Sequence, residues 1–170
     1  MNYNPQTYII FDRKNDTWAY NRIKKWKSEK YFNFDIKDTQ EVYQTWVKTK
    51  NERNLKCNLR KLFQEAEQII VLIGEKTKNL NTYMKCEIET ALEIDVPIIG
   101  VNLNGKRCID YCLCPSIMSN KYIIFIPFNK KIIQCALEHF PSEHKSRPFQ
   151  NNGPRLYNDL VYHHLGLQYE

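Results

Sequence analysis

Glycine is scarce in this chain, with five residues among 170. Neither G-x-x-x-x-G-K-[ST] nor G-x-G-x-x-G occurs, so the backbone cradles that P-loop and dinucleotide-binding folds lay around phosphate are missing. Long apolar runs are absent as well, and none approaches the roughly 20 residues that span a bilayer. The opening "MNYNPQTYII" has no basic flank leading into an apolar stretch, as a secretory signal would. Together these absences lead to the expectation of a cytoplasmic protein with no membrane partner.

Six cysteines are present, but paired metal-type spacings are not. "RCIDYCLCP" (Cys108, Cys112, Cys114) lacks a C-x-x-C and has no His nearby, so free thiols in a reducing compartment, and no metal, are expected. Net charge is +6, with Lys24, Lys25, Lys27 and Lys30 close together and Lys130 and Lys131 adjacent. No RNP motif, finger or recognition-helix signature accompanies that charge. Nucleic acid is therefore set aside in favour of an anionic small molecule, to which a modest basic excess is equally suited.

Apolar residues at 42 % and aromatics at 13 % mark a globular chain, and its length suits one core. Five short apolar runs read as strands: 7–11, 31–36, 68–74, 96–103 and 122–128. Three are nearly continuous rather than alternating, as in strands covered on both faces. Between them, Ala19/Ile23/Trp26, Leu55/Leu59/Leu62/Phe63/Ala66, Met84/Ile88/Ala91/Leu92 and Ile132/Ile133/Ala136/Leu137/Phe140 each draw one apolar helical stripe. This order predicts an α/β fold of flavodoxin-like type: a five-stranded parallel sheet in order 2-1-3-4-5 with helices on both faces.

Residues 37–50 and 104–121 read as long linkers, the kind that carry function or mobility. The tail holds an "NNGP" turn and a short helical stretch through Leu160, Val161 and His164. An α/β domain over 1–145 and a C-terminal extension over 146–170 that packs on it are the expected organisation. There are no internal repeats.

Ligands of open α/β sheets bind beyond the carboxyl ends of the strands, where strand order reverses. Residues 11–16, 74–79 and the neighbourhood of Glu87 should share that crevice. A receiver-type phosphoacceptor is excluded because Gly74 stands where the Asp would be. A phosphate loop after strand one is disfavoured by Asp12 and Asp16, which would repel it. Cleavage of a cationic glycoside remains. It expels a neutral base, so it needs no acid, only negative charge beside the developing oxocarbenium and an acceptor for the ribose hydroxyls. Glu87 lies at the border of the apolar stripe, about 100° from Ile88. Glu89 and Glu93, an i, i+4 pair of like charges, belong on a solvated face. On spacing alone, a purely structural role is the better reading for Glu87.

"YIIFDRKND", "KYFNFDIKD", "QIIVLIGEKTKN", "MKCEIETALEIDVPIIGVNLNGKR", "CPSIM", "FNKKIIQCALEHFPSEHK" and "GPRLYNDLVYHHLGL" follow one another between Tyr8 and Leu167. This ordered set resembles the bacterial TIR-like family, flavodoxin-like and of the Thoeris ThsB type. The resemblance implies a TIR fold and an enzyme of anti-phage defence that consumes NAD as substrate, without a metal. Such an NAD nucleosidase or cyclase-like hydrolase releases nicotinamide. It makes an ADP-ribose-derived messenger, such as cyclic ADP-ribose or a conjugate, that activates a downstream effector.

The family's catalytic glutamate, in a Trp-x-x-Trp-Glu-Ile-type block, falls on Glu87 of "YMKCEI". Phe11 and Asp12 would line the nucleotide pocket, with Asp38 opening the mobile loop after strand two. Gly74 and Tyr83 complete the expected nucleotide-contacting set. Self-association is implied too. The chain departs from the pattern at Lys85 and Cys86, just before the glutamate, and at Ile10, where a Ser is common. The alternative is a non-catalytic TIR-like module that signals through protein contacts.

Overall fold

A computed structural model describes residues 6–148 and 153–168. The chain runs β1 (Gln6–Ile10), α1 (Thr17–Ser28), β2 (Asp35–Lys37), α2 (Gln40–Thr49), α3 (Glu52–Phe63), β3 (Gln68–Ile73), α4 (Thr82–Glu93), β4 (Ile98–Asn102), β5 (Ile124–Pro127), α5 (Lys130–Ser146), β6 (Arg155–Leu156) and α6 (Asp159–His164). The strands form one parallel sheet in the order β2-β1-β3-β4-β5-β6. Among the described residues no helix is long and apolar enough to cross a membrane.

Period-2 alternation sorts the core into two layers. Ile9, Ile70, Ile99 and Ile124 face Ile23 of α1 and Ile133 of α5. Tyr8, Ile69, Val71 and Ile98 face Leu59 of α3 and Ile88 of α4. Every residue of the central β3 is buried, which is why its sequence reads as a continuous apolar run. Each such aliphatic side chain contributes about 1.5–3 kcal/mol through burial. Four helices start at asparagines whose side chains accept a backbone N–H: Asn51, Asn81, Asn129 and Asn158. Each cap is worth about 1 kcal/mol, and together they set where α3, α4, α5 and α6 begin.

The structure corrects the expected organisation in three places. The sheet has six strands, because Arg155 donates its backbone N–H to the Ile123 carbonyl at 2.8 Å and extends the β5 edge. Two residues are too few to show a period. Strand two shrinks to Asp35–Lys37: Phe32 and Phe34 are buried by tertiary packing just ahead of it, without pairing into the sheet. Residues 37–50, expected as a linker, carry α2, whose Trp46 is buried while Val42 and Tyr43 pack against the same core. Residues 104–121 are irregular, organised around Asp110, which accepts from Cys112 N at 3.0 Å and pairs with Lys106 at 2.8 Å. The "NNGP" turn begins outside the described residues. Beyond it, Tyr162 of α6 is buried against the α1/α5 face of the core. All six cysteines are free.

Candidate functional site

The Asn81 cap, with its side chain 2.8 Å from Met84 N, sets the first turn of α4. Tyr83 and Glu87 then fall one turn apart on the same face, turned toward the start of α2. Glu87 is not at the border of the stripe but inside it, with 2 % of its surface exposed. Thr39, just before α2, bonds its carboxylate, and Tyr43 of α2 packs edge-on against Tyr83 one turn earlier.

Thr39 occupies the N-cap position of α2, yet its side chain does not cap the helix. The Asp38 carboxylate accepts from Gln40 N at 2.8 Å instead, which leaves the Thr39 hydroxyl turned inward. There it donates to Glu87 Oε2 at 2.9 Å and lies 2.6 Å from the Tyr83 hydroxyl. Arg13 closes the group from the β1–α1 loop, donating to Thr39 Oγ1 at 3.2 Å and to Gln40 Oε1 at 2.6 Å. Its guanidinium carbon stands 5.1 Å from the Phe11 ring centre, 4.8 Å from Tyr43 and 5.9 Å from Tyr83. Phe11 in turn stacks on Tyr20 at 4.5 Å, and the Tyr20 hydroxyl donates to Asp38 Oδ2 at 2.7 Å.

Burial pushes the Glu87 carboxyl up to about 8; the Thr39 hydrogen bond and the Arg13 charge pull it down, and Asp38 adds a little upward. A carboxyl in this position is neutral at pH 7 until water or positive charge reaches it. Beside it opens a cavity of about 490 Å³ lined by Phe11, Asp12, Arg13, Tyr43 and Tyr83 among others, within the usual range of small-molecule sites of about 300–1,000 Å³.

The expected residues therefore divide. Phe11, Asp12 and Tyr83 line one cavity, whereas Glu87 is buried behind Thr39 and is not part of its lining. The Asp12 carboxylate is engaged by its own turn, accepting from Lys14 N, Asn15 N and the Asn15 side chain. Asp38 does not line that cavity; its carboxylate ties α1 to α2, accepting from the Tyr20 hydroxyl and from Gln40 N. Gly74 lies elsewhere, in a separate cavity of about 300 Å³ with Asp16 and Trp18. A Cβ on Gly74 would run into the Asp16 carboxylate, so a larger residue there forces Asp16 to shift. Asp16 is buried, and burial, with Asp12 and Glu75 adding, raises its carboxyl to about 6.

The departures Ile10 and Cys86 are core residues: Ile10 is fully buried, and the Cys86 Sγ faces Glu52 on α3 at 3.7 Å. Lys85 and Glu89 are on the outside, 3.8 Å apart, and Glu93 pairs with Arg60 at 2.8 Å. Arg13, Thr39 and Tyr43 went unnoticed in the sequence. The one available signal was a basic residue two positions after Phe11. Among the described residues no cluster of His, Cys, Asp or Glu is arranged to hold a metal.

A doubly wound parallel sheet with a buried carboxylate on the helix after β3 defines a flavodoxin-like α/β protein. A family model, Thoeris protein ThsB, TIR-like domain, matches residues 8–108, more than half of the chain, and the chain belongs to that family. The matched stretch runs from β1 through β4 and contains Glu87, Thr39 and Arg13. No curated protein matches the chain.

Proposed function

We propose that this protein cleaves the nicotinamide–ribose bond of NAD in Thoeris-type anti-phage defence and produces an ADP-ribose-derived nucleotide that activates an effector. The observation that carries the reading is Glu87: a carboxyl withheld from water, one hydroxyl away from a cationic group, beside an aromatic cavity, in a member of the ThsB TIR-like family. In the reaction the C1′–N bond breaks with its electron pair going to the ring nitrogen, so nicotinamide leaves neutral. The oxocarbenium left behind is taken by water or by a nucleophile of the product. Approach of the cationic nicotinamide ring lowers the Glu87 pKa, its proton passes to solvent water, and the resulting carboxylate stabilises the oxocarbenium and accepts from the ribose hydroxyls. Self-association accompanies activity in this reading, and the compartment is the cytoplasm.

A second reading, a non-catalytic TIR-like signalling module, draws on the closure of Thr39, Arg13 and Tyr83 over Glu87. Nicotinamide release from NAD by purified protein, with and without infected-cell lysate, separates the two. Release that Glu87→Gln abolishes supports the enzyme. Absence of release in both conditions, with retained binding to a partner TIR protein, supports the module.

A further inference from the structure

The Arg13 side chain is a ligand-like feature of its own protein. Its guanidinium, flat, positively charged and half-buried, is flanked by Phe11, Tyr43 and Tyr83 at 5.1, 4.8 and 5.9 Å, within the range over which aromatic faces attract cations. Three rings from three different elements (the end of β1, α2 and α4) converge on one charge, at the wall of the 490 Å³ cavity. The Thr39 hydroxyl links the same guanidinium to Glu87. A box of electron-rich faces with a carboxyl one hydroxyl away is complementary to a planar delocalised cation.

We propose that the Phe11–Tyr43–Tyr83 box is the receptor for a planar organic cation on the ligand, and that Arg13 is its internal competitor. Naming that cation as a pyridinium ring rests on the NAD reading above; the preference of the box for a planar cation does not. The guanidinium leaves by giving up its bonds to Gln40 and Thr39, and the ligand's ring enters where it stood. The arrangement discriminates by charge. The oxidised dinucleotide carries a cationic ring, whereas the reduced dinucleotide and free nicotinamide are neutral, so the box favours the substrate and releases the cleaved base. Arg13 is here a specificity-determining residue and takes no part in bond breaking.

Equilibrium binding to the full chain tests this without turnover, using 1-methylnicotinamide as the planar cation and nicotinamide as its near-isosteric neutral control. Loss of the competing guanidinium in Arg13→Ala should tighten 1-methylnicotinamide binding by about tenfold and leave nicotinamide binding weak, a difference in keeping with one cation–aromatic contact. Methylguanidinium should compete with the pyridinium in that variant, and adding Tyr43→Leu should abolish binding. Arg13→Gln, which keeps a side chain able to bond Thr39 and Gln40, replaces Arg13→Ala if the latter unfolds, and the same tightening is expected. Equal affinity for the cation and the neutral ring, or no gain on removing Arg13, overturns the proposal. Because nicotinamide release is scored separately, failure of the box leaves Glu87-dependent cleavage standing, and loss of cleavage leaves the binding result standing.

Discussion

Replacing Glu87 with Gln isolates the cost of burying an ionisable carboxyl. The folded carboxyl titrates at about 8 because burial withholds water, against an ordinary value of 4.5 in the unfolded chain. The folded state therefore holds the proton more tightly. Stability from this group is fully present below pH 4.5 and is lost as pH rises through 8, the reverse of a salt-bridged carboxylate. At about 1.4 kcal/mol per pH unit across that window, the loss from pH 5 is about 2.5 kcal/mol by pH 7 and about 4 kcal/mol by pH 9.

Glutamine keeps the shape and can still accept from Thr39, but has no charge to bury. Glu87→Gln should thus match the parent near pH 5 and exceed it progressively above pH 6. Other raised groups, such as Asp16, act in both proteins and cancel. Urea unfolding of both proteins at half-unit steps from pH 5 to 9 provides the measurement. A gap of 2 kcal/mol corresponds to roughly 4–8 °C in Tm for a chain of this size. Parallel stability curves, or a gap that widens toward acid, would refute the burial argument.

The carboxyl's titration carries over to activity. In the proposed reaction only ionised Glu87 works, so kcat/KM for nicotinamide release should climb with pH from 6, reach half its maximum near 8 and level off about one unit higher, and a profile already flat at pH 6 speaks against it. Thr39→Val deletes the hydroxyl shared by Glu87, Tyr83 and Arg13; it should cost about 1–3 kcal/mol in denaturant unfolding and push the plateau of that profile to higher pH. Gly74→Ala drives a methyl into the Asp16 carboxylate and should destabilise by about 1–3 kcal/mol, with Asp16→Ala in the same chain recovering most of the loss in a double-mutant cycle. Asn81→Ala removes the α4 cap and should cost about 1 kcal/mol by thermal melting while lowering nicotinamide release, because Tyr83 and Glu87 lie in the turns it anchors.

The parallel sheet, its central order and the two helical layers were legible because they rest on local pattern. A strand buried on both faces must be continuously apolar, as 68–73 is, and a helix on such a sheet must show one stripe, as Leu55, Leu59 and Phe63 do. Strand two misled for the opposite reason: the "YFNF" alternation looks like pairing, yet those rings are buried by other contacts. Sheet edges are where such errors fall, since pairing there depends on few residues. The two-residue β6 carries no period at all.

Of the residues that chain order groups at the switch point, Phe11 and Tyr83 line one cavity with Glu87 behind Thr39, while Gly74 lines a separate one. Tertiary structure alone decided how Glu87 is held. Its carboxylate is held by the Thr39 hydroxyl at the start of α2, forty-odd residues upstream, and Thr39 is held in turn by Arg13; no spacing rule links either residue to it. Periodicity reports which way a side chain points along its own helix. Whether that direction meets water, a hydroxyl or a guanidinium is set by segments distant in the chain. For this protein, that difference separates an ordinary helical glutamate from a carboxyl neutral at pH 7 beneath an aromatic box.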